Sequence, residues 1–141
     1  MRGLSSRYRE VRAVEVLVNK GFGYGVLQGL SACAGDIVGW MTGDGQVPSA
    51  SVPQLLSEMR RTGAPIGKTR RTNRQDDWTR RLFSTVFNRF ARLMLGVSTR
   101  DVDGTPKLLR RDVYERLRLR SHDSFLDMEV LVKAKRSGLQ V

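Results

Sequence analysis

An uninterrupted apolar run, Ile37-Val38-Gly39-Trp40-Met41, followed at once by the turn formers Thr42-Gly43-Asp44-Gly45-Gln46, limits the architecture of this chain more than any other segment. A strand that is apolar at every position is buried on both faces, as in a parallel sheet covered by helices. The flanking segments agree with that placement. Val11 to Val18 alternates β-branched apolar residues with others, a strand pattern that Asn19-Lys20-Gly21 interrupts. Residues 24–34 carry Val26, Leu27, Leu30 and Ala34 at helical spacing and stop at Gly35-Asp36. Ser51-Val52-Pro53 opens another helix bearing Leu55, Leu56 and Met59, with proline in the first turn, where a missing N–H costs nothing. Strand, helix, strand, loop, helix is the alternation of an α/β fold and predicts a mixed, mostly parallel sheet flanked by helices.

Past residue 67 the character changes. Lys68, Arg70, Arg71 and Arg74 precede a long helix, about Asp76 to Leu95, with Trp78, Leu82, Phe83, Val86, Phe87, Phe90 and Met94 on one side and arginines on the other. Packing of that stripe on the sheet is one reading; an Arg-rich amphipathic helix lying on an anionic membrane is the other. A loop with Asp101, Asp103 and Gly104 leads to a short strand at Lys107-Leu108-Leu109, and a last helix spans about Phe125 to Arg136. At 141 residues the chain is a single domain, 1–141, able to bury roughly two-thirds of its extended surface.

Charge narrows the partners. With 25 Lys+Arg against 14 Asp+Glu the net charge is +11, so phosphate-bearing partners are favoured: nucleic acid, anionic lipid or nucleotide-sugar. Cys33 and His122 are each the single residue of their type, which excludes an intrachain disulfide and any His- or Cys-rich metal site; both read as structural. No apolar run approaches the ~20 residues of a bilayer span, and the arginine-rich start has no signal-peptide core, so the expected location is cytoplasmic.

The loop 42–46 follows a strand's carboxyl end, where ligands of open α/β sheets sit. Glycines flanking an acid let a carboxylate approach a hard cation and the phosphate oxygens it bridges. Asp-Gly is equally a common turn dipeptide, so the five residues alone leave both readings open.

The order and spacing of Asn19-Lys20-Gly21-Phe22-Gly23, Gly29-Leu30, Gly35-Asp36-Ile37-Val38, Gly43-Asp44-Gly45-Gln46, Arg74-Gln75-Asp76-Asp77, Arg81, Asp101, Lys107-Leu108 and Asp127-Met128-Glu129 add a second argument. Together they resemble the family 2 glycosyltransferases of the GT-A (Rossmann-like) fold, and more narrowly the polyprenyl-phosphate, dolichyl-phosphate-like sugar transferases. That resemblance, from about Val14 onward, implies an enzyme moving a sugar from a nucleotide-diphosphate sugar to a polyprenyl-phosphate lipid. It implies Mg2+ or Mn2+ held by Asp44, with Thr42, Gly43 and Gln46 lining the donor loop. Thr42 stands where such enzymes usually have a first acid, so one negative charge is missing and metal affinity is expected to be lower. Lys20, Arg71, Arg74, Arg81 and Lys107 are the cations expected around donor and acceptor phosphates, against the alternative of a solvated basic face. Asp101, Asp127 and Glu129 fall near the acceptor pocket in this resemblance. Asp127 is the first choice of base, against the alternative of a helix N-terminal acid favoured by the dipole.

Members of that family open with a hydrophobic strand of the type Val-Ile-Pro-x-Tyr-Asn-Glu and a second βα unit, neither of which occurs here. The expectation is therefore an internal piece of a catalytic domain, weakly active alone, with an unpaired edge on the strand ending at Met41 that invites self-association. The alternative is a noncatalytic remnant or binding subunit of the same fold, for which Thr42 and the missing start speak. A nucleic-acid module rests on charge alone; no helix-turn-helix, RRM or zinc pattern accompanies it, so nucleic acid is not an expected partner. A lipid acceptor would bring the chain to the inner face of a membrane.

Overall fold

The computed structural model describes residues 2–69, 102 and 104–141. In chain order the elements are α1 (Arg2–Arg7), α2 (Phe22–Ser31), β1 (Ile37–Trp40), α3 (Ser51–Thr62), β2 (Ile66–Lys68), β3 (Lys107–Arg110), α4 (Arg111–Leu117) and α5 (Leu126–Arg136). The expected long helix over 76–95 lies outside the described residues.

The sheet has the order β1-β3-β2, and both pairings are antiparallel. This corrects the mostly parallel sheet expected from the sequence. The expectation rested on Val11 to Val18 forming a strand beside β1, and that segment forms none. A strand exists only where a neighbour takes its backbone hydrogen bonds. Here Val11, Val14, Leu17 and Val18 are 40, 44, 89 and 63% exposed. β1 is instead hydrogen-bonded to β3, which arrives from much later in the chain and runs the other way.

Register decides the two faces. Val38 lies opposite Leu109, and Ile66 opposite Leu109 on its other side; Trp40, Lys107 and Lys68 form the next row on the same face. On that face Ile66 and Leu109 pack with Val113 and Leu117 of α4 and Val130 and Ala134 of α5, and Trp40, Tyr114, Leu119 and Leu139 close around them. The opposite face carries the row Gly39, Leu108, Gly67. A Cβ on Gly67 would lie 2.6 Å from the Met59 sulfur and 3.1 Å from a Leu55 methyl, so the missing side chain is what lets α3 approach β2.

Local chemistry fixes the ends. Gly63, at φ 71, closes α3 in the left-handed conformation after Arg60 and Arg61, two cations placed favourably at a helix C-terminus. α4 follows β3 without a loop, and Arg111 then secures the end of α2: its Nε and Nη2 donate to the carbonyls of Gly35 and Cys33 at 2.8 and 2.9 Å. α5 has Asp127 and Glu129 in its first turn and Lys133, Lys135 and Arg136 in its last, the charge order the helix dipole prefers.

Candidate functional site

The row Trp40, Lys107, Lys68 marks one end of the sheet: the carboxyl ends of β1 and β2 and the start of β3. The 42–46 loop leaves from that end. Within it Asp44 is exposed, and one carboxylate oxygen accepts the Gln46 backbone N–H at 3.0 Å, which tightens the turn without burying the acid. Its other oxygen has no protein partner among the described residues. Gly45, at φ 77, occupies the left-handed region that this bend requires. Thr42 is half-buried at the base of the loop, and Gly43 and Gln46 are exposed.

Directly beside the loop's root, Lys107 is fully buried. Its ammonium donates to the Val102 carbonyl at 2.8 Å and to the Asp127 carboxylate, and sits 5.8 Å from the centre of the Trp40 ring. The Asp127 side chain is 8% exposed. An ion pair this dry persists because each charge is compensated by the other and by added hydrogen bonds. Lys107 is therefore shielded from solvent and engaged with Asp127 and the Val102 carbonyl. Trp40 and the Val102 carbonyl are members of this cluster that sequence reasoning missed; the register β1 to β3, which no local pattern encodes, brings them there.

Glu129 has a different occupation. Its carboxylate accepts the backbone N–H groups of Arg120 and Ser121 at 2.8 to 3.0 Å and pairs with Lys133 at 2.6 Å. Burial alone would raise its pKa, but the hydrogen bonds from Lys133, Ser121 and Arg120 together outweigh that and hold it below the usual carboxylate range. It is the clasp of the loop ahead of α5.

Lys20 is exposed, with its ammonium 5.2 Å from the Tyr24 ring centre. The Asn19–Gly23 turn beside it docks on that same pre-α5 loop: the Tyr24 N–H donates to the His122 carbonyl at 3.0 Å, and the Tyr24 and His122 rings meet edge-on at 5.2 Å. Lys20 thus reaches the loop ahead of α5 through Tyr24 and His122, that loop leads into Asp127 and its partner Lys107, and Trp40, beside the Lys107 ammonium, leads in the chain to the 42–46 loop. Arg71, Arg74, Arg81 and Asp101 lie outside the described residues. Among the described residues no three His, Cys, Asp or Glu side chains cluster as a metal cage would need.

Asp44 nonetheless suits a divalent ion of the kind that keeps most of its waters. Such an ion asks the protein for one or two carboxylates and takes its remaining ligands from substrate phosphates and water. An exposed carboxylate with an oxygen that no described residue occupies could supply one such ligand.

A cavity of about 590 Å3 lies at the other end of the sheet, lined by Asp36, Ile37, Arg110, Arg111, Asp112 and Glu115. Its cations are already engaged: Arg110 with Asp112 at 2.6 Å and Arg111 with the end of α2. The strand-end chemistry is not there.

No solved structure matches the chain. Among curated proteins it is similar to an undecaprenyl-phosphate 4-deoxy-4-formamido-L-arabinose transferase of Aeromonas hydrophila subsp. hydrophila, at 29% identity over 121 residues. The match covers 80% of this chain and 37% of the relative, so the chain spans little more than a third of the length of that protein. The family model described as glycosyl transferase family 2 matches residues 2–118. With so much of its length inside that match, the chain belongs to glycosyl transferase family 2.

Proposed function

We propose that the chain is the donor-loop and acceptor-side part of a glycosyltransferase that moves a sugar from a nucleotide-diphosphate sugar to a polyprenyl phosphate. The observation that carries this reading is the Asp44 carboxylate, exposed on a glycine-bracketed bend at the carboxyl end of β1 within a family 2 chain. The similarity to a transferase whose name specifies undecaprenyl phosphate supports the lipid acceptor.

In the proposed reaction a phosphate oxygen of the lipid forms a bond to the sugar's anomeric carbon while the bond from that carbon to the nucleotide diphosphate breaks, and the electron pair leaves with the diphosphate. Asp44, with Thr42 and Gln46 beside it, would hold Mg2+ or Mn2+; when bound, the ion neutralises the departing charge. Arg71, Arg74 and Arg81 are proposed to hold donor and acceptor phosphates, for which a planar guanidinium is suited. Asp101 and Asp127 are the acceptor-side acids, with Lys107 fixing the orientation of Asp127. An acceptor that is already an anion needs little help from a base, so electrostatic positioning carries most of the catalysis. The lipid acceptor brings the reaction to a membrane surface; among the described residues no helix is long and apolar enough to cross a bilayer.

The test is transfer from a panel of UDP- and GDP-sugars to undecaprenyl phosphate, with and without EDTA. One donor should be used, EDTA should abolish turnover, and Asp44→Asn should lower it by roughly 100-fold, the scale of losing one main electrostatic contact to a leaving oxyanion. Binding of a nucleotide-sugar without transfer from any donor would overturn the enzyme in favour of a noncatalytic binding subunit.

A further inference from the structure

The glycines of the Asn19–Gly23 turn are spaced like a phosphate cradle, yet their backbone faces protein. A Cβ on Gly21 would lie 2.4 Å from the His122 carbonyl oxygen, and one on Gly23 would lie 2.4 and 2.7 Å from those of Ser121 and Asp123. Gly21 is at φ 109, outside the range L side chains favour, whereas Gly23 is an ordinary buried helical residue whose only special requirement is space. Backbone oxygens cannot swing aside as a side chain would. The turn and residues 121–123 are therefore in contact with no room for a methyl group.

What lies beyond that contact gives it a use. The same loop is clasped from the other side by Glu129, and the Asp123 side chain accepts the Phe125 N–H at 2.9 Å just before α5 begins. Leu126 and Asp127 follow at once, and Asp127 pairs with the buried Lys107. The loop is thus held between two fixed points and leads straight into the first turn of α5, so a displacement at Gly23 passes to the Asp127 carboxylate over a few residues of constrained backbone.

We propose that Gly23 is a positioning residue: by admitting the 121–123 carbonyls at contact distance, it sets where α5 presents Asp127 to Lys107. The kinetic consequence rests on the transfer reaction proposed above; the structural consequence does not. Gly25, one helical residue pair further on, has nothing within 4 Å of the place a Cβ would occupy, and supplies the matched control.

The experiment compares Gly23→Ala and Gly25→Ala by the NMR resonance of the Lys107 side-chain ammonium, which burial and pairing make observable, and by steady-state transfer. Gly23→Ala should move or broaden the Lys107 signal and lower kcat by roughly 10- to 100-fold, the scale of a misplacement of about 1 Å, with KM for the nucleotide-sugar held. Gly25→Ala should change neither. A Lys107 signal unchanged in a folded Gly23→Ala protein overturns the proposal, whatever the activity. A moved signal in a chain that shows no turnover even as wild type upholds the positioning and counts only against the enzymatic reading. Should Gly23→Ala not fold, hydrogen exchange of the wild-type chain decides: the Tyr24 N–H, which donates to the His122 carbonyl, should be protected to the same degree as the amides of α5, and a freely exchanging Tyr24 N–H overturns the proposal.

Discussion

Thr42 and Glu129 show how single side chains divide between chemistry and scaffold. Thr42 offers a hydroxyl where a second carboxylate would strengthen a cation site, so Thr42→Asp should lower the Mg2+ concentration at half-maximal transfer severalfold; an unchanged metal dependence would contradict a metal role for this loop. Glu129 spends its charge on Arg120, Ser121 and Lys133, and its depressed pKa has a definite pH signature. A carboxylate that is more acidic folded than unfolded adds stability that is complete above its unfolded pKa, near 4.5, and lost as pH falls through the lower folded value. Thermal melts from pH 6 down to pH 3 should show that loss, and Glu129→Gln should lower the melting temperature by a few degrees at pH 6 while narrowing the gap at pH 3. Equal effects at both pH values would refute the clasp.

Among the elements, β3 and α5 are joined by the buried Lys107–Asp127 ion pair. Lys107→Met removes the buried ammonium that faces the Asp127 carboxylate and should cost about 3–5 kcal/mol in urea unfolding, whereas Lys107→Met with Asp127→Leu should recover most of that loss. A double variant as unstable as the single one would show that the pair is not the relevant unit. How legible these elements were depended on how much signal each carried. β1, α3, β3 and α5 were visible because apolar runs or spacing and a Pro or Gly boundary agreed at each. β2 has only Ile66, Gly67 and Lys68, too few for any period, and α4 begins without a cap directly after β3. Its signal was present in Val113 and Leu117, one helical turn apart and both buried, but the surrounding arginines obscured it. The strand read at Val11 to Val18 had the right local pattern and lacked a neighbour, which local pattern cannot supply. The site divided the same way: Asp44 was legible from its glycines, while the burial of Lys107 followed from a register between strands far apart in sequence.

At the scale of the whole molecule, the described sheet has β1 at its edge, an uncharged strand with none of the lysines, prolines or bulges that blunt edges. The chain should accordingly associate with rising concentration, and Ile37→Glu, placing a charge at a half-buried position of that strand opposite Arg110, should reduce association by light scattering; a concentration-independent monomer would contradict an active edge. The proposed chemistry rests, however, on the exposed Asp44 carboxylate of the 42–46 loop. Mn2+ titrated into the chain in the presence of UDP or GDP, followed by electron paramagnetic resonance, tests it most directly. Wild type should take up the ion with one of the two nucleotides and Asp44→Asn should bind it at least tenfold more weakly, whereas equal affinity in the two proteins would contradict the central claim.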